Sequence, residues 1–239
     1  MMKRKLLVAA MVASLSTLTL VGCSSLGSVM QGVQGLSAAA NLSGAPTTEA
    51  ELAQAQKSIA ADTKTVSAKI LGAQTSLAQA LDLKEMAANI EAQLKTVKRG
   101  NITADQLEKI TTVSAQADEA INSRFEDVKE LTDQQKEKVS ESLNHYAGAA
   151  LGTAKVAAKA AHTGLGLTEF LKNQMISNPS GLTDLKSKFG FLAEAGSSLP
   201  TFCEDLISTG FSYVKLAKNY GIDTSAAEDQ LLKAQEFMK

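Results

Sequence analysis

Between Leu52 and Ala80 the apolar and small residues fall in steps of four and three: Leu52, Gln56, Ile59, Thr63, Val66, Ile70, Ala73, Leu77 and Ala80. A helix returns to one face about every 3.6 residues and a strand every second residue, so this spacing commits the segment to an amphipathic helix with a coiled-coil-like seam. The alanines and threonine in the seam imply a close approach by whatever packs on it. Pro46-Thr47-Thr48 opens the helix, and Thr48-x-x-Glu51 has the pattern of a capping box, in which hydroxyl and carboxylate each satisfy an orphan backbone donor. Run unbroken to Asp82, the helix spans roughly 50 Å. It either continues or bends there, through Met86, Ile90, Leu94 and Val97.

Gly100-Asn101 reads as a stop, with the glycine supplying a positive φ, and Thr103-x-x-Gln106 reads as the next cap. A second seam follows at Leu107, Ile110, Ser114, Ala117, Ile121, Arg124, Val128 and Leu131. Two seams joined by a turn predict an antiparallel helical hairpin. The charges between them, such as Lys109, Glu119, Asp127 and Lys136, read as a solvated face.

Thr132-x-x-Gln135 either caps a new helix or lies within a longer one whose apolar face continues through Val139, Leu143, Tyr146, Ala147 and Ala150. Ten of the fifteen residues of Ala147–Ala161 are Ala or Gly, with Gly148, Gly152, Val156 and Ala160 in one row. Small residues at that spacing let backbones approach, so a central buried helix is the first reading and a membrane-contacting or self-associating helix the second. Lys155 and Lys159 argue against a spanning helix. Breaks are predicted at Thr163–Gly166, at the turn Asn178-Pro179-Ser180-Gly181, at Gly196–Pro200 and at Gly221. Shorter helices are predicted between them, one carrying Leu182, Leu185, Phe189 and Leu192 on a single face, another starting near Phe202. Asp223 or Ser225 would cap the last, with Ser225-x-x-Glu228 as its box. Eight of the ten aromatic residues follow Leu167, which makes the back half bulkier than the Ala-rich front. No period-2 strand pattern is found.

The N-terminal segment follows other rules. Lys3-Arg4-Lys5 precedes an apolar run from Leu6 to Leu20, which ends in Leu20-Val21-Gly22-Cys23. The run is short of the roughly 20 apolar residues a membrane span needs. It resembles a bacterial lipoprotein signal peptide with its lipobox. That resemblance implies cleavage between Gly22 and Cys23, a lipid on the Cys23 thiol and acylation of the new amine. Several chains anchor far more firmly than one, since each buried methylene contributes about 0.8 kcal/mol. Ser24 and Ser25 follow Cys23 with no Asp at the next position, which in Gram-negative lipoproteins implies the outer membrane. The Gly- and Ser-rich stretch after the cysteine reads as a tether, or more weakly as a short interfacial helix built on Val29, Met30, Val33 and Leu36.

Composition narrows the chemistry. The signal removes three cations, leaving 21 Lys and Arg against 25 Asp and Glu in the mature chain, with the signs mixed and no basic stripe. A nucleic-acid partner is not expected. Of two cysteines, Cys23 is the acylation site and Cys203 has no partner for a disulfide, so Cys203 reads as a small buried apolar residue ahead of a reactive thiol. His145 and His162 are seventeen residues apart, which on one helix places them about 260 degrees apart. Glu141 and His145 read as a surface ion pair rather than a metal site. Glu126-Asp127 and Glu204-Asp205 are adjacent and diverge on a helix. Neither a phosphate-binding loop nor Gly-x-Ser-x-Gly occurs.

The expectation is an all-α chain, an elongated helical bundle with a long antiparallel coiled-coil-like hairpin followed by shorter helices. Residues 1–22 are the signal, 23–46 the acylated cysteine and tether, and 47–239 one helical domain. The functional expectation is a non-enzymatic envelope lipoprotein serving as an interaction or scaffold module. It has no cofactor or metal, and its partners are the membrane, through the acyl chains, and envelope proteins or copies of itself. The alternative is a carrier holding a lipid or other apolar ligand within the bundle, with Ala147–Ala161 facing the aromatic half. No ligand-binding residue is assigned by the sequence.

Overall fold

A computed structural model describes residues 44–177 and 182–239. The signal, the lipobox with Gly22 and Cys23, most of the tether and the turn at 178–181 lie outside the described residues. Within them the chain is all-helical: α1 (Glu49–Ala80), α2 (Lys84–Arg99), α3 (Ala104–Asp127), α4 (Asp133–Ser177), α5 (Leu182–Lys188), α6 (Gly190–Asn219) and α7 (Ser225–Phe237).

The first three boundaries are local chemistry. Thr48 and Glu51 form the expected box: Thr48 Oγ1 accepts from the Glu51 N–H at 3.3 Å and Glu51 Oε2 accepts from the Thr48 N–H at 3.1 Å. The Thr48 hydroxyl, with the Thr48 and Thr47 N–H groups, donates to the exposed Glu51 carboxyl and holds it below its usual pKa. Thr103 with Gln106 and Thr132 with Gln135 repeat the arrangement at the starts of α3 and α4. Helix α1 stops at Leu81: the Leu83 N–H bonds the Ala78 carbonyl and the Asp82 N–H bonds that of Gln79, with Asp82 at φ 61°. This is a Schellman stop with Asp where Gly is usual, and Asp tolerates the left-handed region better than most residues. Other helices complete it. Arg124 donates to the Leu81 carbonyl at 3.1 Å and Gln135 Nε2 to that of Ala80 at 3.0 Å.

Several expected boundaries are corrected. Gly100 ends α2 at φ −95°, not at a positive φ; a Cβ there would lie 3.2 Å from Gln106 Nε2, so this glycine makes room for the next cap. Helix α4 runs straight through Thr163–Gly166. There Gly166 meets backbone: a Cβ would sit 2.1 Å from the Pro46 carbonyl oxygen. The single helix expected over Leu182–Leu192 is instead divided at Phe189, between α5 and α6. This junction is held by Gln56 of α1, which donates to the Lys188 carbonyl and accepts from the Leu192 N–H. Helix α6 continues through Gly196–Pro200. Proline lacks the N–H that would bond the Gly196 carbonyl, and Gly196 presents no side chain, so α6 passes close to Ala160 and Gly164. The Ser225 box does not form. Thr224 is the boundary residue, Asp223 Oδ1 accepts from the Ser225 N–H, and Glu228 pairs with Lys218 at 2.6 Å.

The hairpin is also rearranged. Because the chain reverses at Asp82 and again after Gly100, α3 returns parallel to α1: Gln74 meets Ser114 and Leu81 meets Arg124. The long antiparallel partner of α1 is α4, with Pro46 against Gly166, Asp62 against Lys159, Val66 against Gly152 and Ala80 against Gln135. Helix α6 is antiparallel to α4 and parallel to α3. Thus α1, α3, α6 and α4 enclose one core, with α2 packed outside on α1 and α7 outside on α4 and α6. The expectation of shorter helices after the hairpin fails at α4, whose 45 residues make it the longest. Its Ala147–Ala161 stretch is the buried centre: Gly148 is covered by Gln230 and Gly152 by Val66.

Candidate functional site

All four enclosing helices send a polar side chain to one point in the core. Asp118 of α3 stands at its centre. Tyr213 of α6 donates its hydroxyl to Asp118 Oδ1 at 2.6 Å, Gln74 of α1 donates Nε2 to the same oxygen at 2.7 Å, and Tyr146 of α4 donates to Oδ2 at 3.3 Å. Gln74 Nε2 also lies 2.7 Å from Ser114 Oγ. The rings of Tyr146 and Tyr213 meet edge-on at 5.3 Å, and the Phe125 ring is tilted against Tyr213 at 6.2 Å. Burial pushes the Asp118 carboxyl up to about 6 despite its three donors, and the charge of Asp205 adds to the shift. Burial and the neighbouring Asp118 push both tyrosine hydroxyls well above their usual range.

Two of these residues, Ser114 and Asp118, also line an open cleft of about 510 Å³ between α3 and α6. Thr111, Thr112, Ser114, Ala115 and Asp118 form one wall. Ser197, Ser198, Thr201, Phe202, Asp205 and Leu206 form the other, on either side of Pro200. Its charged groups are two carboxylates, and no Lys, Arg or His lines it. Four of the rim hydroxyls are already spent as donors: Thr111 and Thr112 donate to the Glu108 carbonyl, Ser197 to the Glu194 carbonyl and Ser198 to the Glu194 carboxylate. Their oxygens are left as acceptors. Gln74 is fully buried, and its Oε1 has no donor among the described residues. Thr63 Oγ1 and Ser67 Oγ, on the same face of α1, are likewise without partners among them.

The residues weighed from sequence fall elsewhere. Cys203 is buried and apolar in setting, its Sγ 3.9 Å from the Ala150 carbonyl, and burial pushes its thiol up to about 12. A thiol so far from ionising is a poor nucleophile. His145 and Glu141 are an exposed pair at 3.7 Å, and His162 lies on the same helix far from it in rotation. Lys159 is clasped by Asp62 and Ser58 of α1, whereas Lys155 is exposed, 5.8 Å from the Phe237 ring. Of Glu204-Asp205, only Asp205 lines the cleft. Among the described residues no group of three or more His, Cys, Asp or Glu is placed to hold a metal, and no helix is long and apolar enough to cross a membrane.

Sequence reasoning missed Asp118, because an acid between Ala117 and Glu119 looks like surface. Two signals pointed inward. Asp118 is one turn beyond Ser114, a seam residue, and Gln74 lies between the seam residues Ala73 and Leu77. No family model, curated protein or solved structure matches this chain.

Proposed function

We propose that this chain is a lipid-anchored outer-membrane lipoprotein whose helical body serves as a non-enzymatic interaction module, with the α3–α6 cleft as its working face. The lipobox residues Leu20–Cys23 support the anchor. The cleft supports the face: it is a concave, acceptor-lined surface backed by a core cluster that draws one residue from each of four helices, which fixes its walls. The apolar-carrier reading has less behind it. The space between the four helices holds Gln74, Asp118, Tyr146 and Tyr213, and Ala147–Ala161 packs directly on neighbouring helices.

The test is made in cells on the full-length chain. A photoreactive residue is placed at Thr112 or Ser198 on the cleft rim, or at Lys95 on exposed α2 as a control. Specific adducts with an envelope component or a second copy are expected from the rim positions only, and only when Cys23 is present to take a labelled acyl chain. Equal adducts from Lys95, or an unacylated Cys23 with unchanged adducts, would sink the proposal.

A further inference from the structure

The inference concerns what the cleft takes, and it rests on the α3–α6 face being the working face. Both charged groups presented there are acceptors. Asp118 and Asp205 carry negative charge, and neither has an ion-pair partner among the described residues. The donors Asp118 does have, from Tyr213, Tyr146 and Gln74, are all neutral. Four rim hydroxyls donate their hydrogens back to their own helices, which leaves their oxygens as acceptors. Behind the lining, the buried Gln74 donates to Ser114 and Asp118, and its amide oxygen has no donor among the described residues. Such a site is mismatched to anions and to acceptor-rich neutral molecules. It is matched to a ligand with several N–H donors and a positive charge. The apolar part of the lining, Ala115, Phe202 and Leu206, suits a short hydrocarbon, and the Phe202 ring adds attraction for a cation. A volume of about 510 Å³ fits a small molecule. With only two carboxylates, the cleft falls short of a hard-metal cage.

We propose that the α3–α6 cleft binds a small organic ammonium compound, its N–H donors shared between Asp118, Asp205 and the rim hydroxyl oxygens, with its hydrocarbon against Phe202.

Calorimetric titration of the full-length protein in detergent tests this with 1,4-diaminobutane, the uncharged 1,4-butanediol of equal length, and Ca²⁺. Saturable binding of the diamine below about 10 mM is expected, with no comparable heat from the diol or the metal. Asp118→Asn and Asp205→Asn should each weaken the diamine at least about tenfold, since each removes a charged partner. Asp118→Asn keeps an acceptor for Tyr213 and Gln74, so an unchanged helical circular dichroism spectrum and an undiminished melting temperature show that lost binding is not lost folding. Diamine affinity unaltered by both variants, equal binding of the diol, preferential binding of Ca²⁺, or no saturable diamine binding would each overturn the assignment. Rim crosslinks that persist without diamine binding would remove the ligand class and leave the working face standing. Loss of both would remove the face.

Discussion

Helix α4 is held in two different ways along its length. Around Tyr146 it is fixed by direction, through a tyrosine hydroxyl on Asp118 and an edge-on ring contact with Tyr213. From Gly152 to Gly166 it is fixed by proximity. Val66, the backbone of Gly196 and the Pro46 carbonyl approach where side chains are missing or are single methyls. The first grip specifies orientation and carries a buried charge. The second specifies distance, with the Lys159–Asp62 ion pair at its edge. A ligand-facing cluster belongs with the first kind, because hydrogen bonds can be re-partnered while a backbone contact cannot.

Removing the first grip should have the largest effect. Tyr213→Ala deletes a buried ring and the shortest donor to Asp118, and is expected to destabilise the fold by about 3–5 kcal/mol in urea unfolding. A loss below about 1 kcal/mol would mean that the cluster is not holding the helices together. The second grip is tested by Gly152→Leu, which drives a side chain into Val66 and should lose about 1–3 kcal/mol by overpacking. A stable variant would show that the approach of α1 to α4 has slack.

The charge in the first grip predicts a pH dependence. Asp118 binds its proton more tightly when folded, at about 6 against an ordinary 3.8. Its protonation therefore adds stability that is fully present below about pH 4 and is lost as pH rises through about 6. The swing is expected to be roughly 1–3 kcal/mol, reduced by the carboxyl's partial exposure to the cleft. Asp118→Asn should flatten this component between pH 4 and 7 and be neutral or stabilising at pH 7. A wild-type stability that rises steeply over that interval, with the variant following it, would contradict the burial argument. The smallest effect separates crowded from uncrowded glycines. Gly72 lies within α1 with nothing near its would-be Cβ, so Gly72→Ala should add about 0.5–1 kcal/mol. If it destabilises instead, glycine on α1 has a packing role like that on α4.

These contrasts follow how far the molecule was legible in its sequence. The caps at Thr48, Thr103 and Thr132 and both seams were readable because their causes lie within a few residues. The glycines at 164, 166 and 196 read as breaks because local propensity is weak against tertiary contact: their partners Pro46 and Ala160 lie far away along the chain or on another helix. The second seam was followed to Arg124, whereas Phe125 is the buried residue there and Arg124 reaches across to close α1. The cluster around Asp118 was invisible for a similar reason. Its five residues, Gln74, Ser114, Asp118, Tyr146 and Tyr213, are spread over four helices, and only their meeting distinguishes them from ordinary polar positions.

The antiparallel register of α1 on α4 also fixes which way the body faces. The described chain enters at Pro46 beside Gly166, and α7 ends with Phe237 beside Lys155, the middle residue of α4, eleven helical residues or about 16 Å from Gly166. The turns at Leu81–Leu83, 128–132 and 220–224 gather at the opposite pole, near Gln135 and Ser140. The three turns therefore lie at the pole away from Pro46, and a fluorescent protein appended after Lys239 would report from beside the middle of α4 and leave that pole unobstructed.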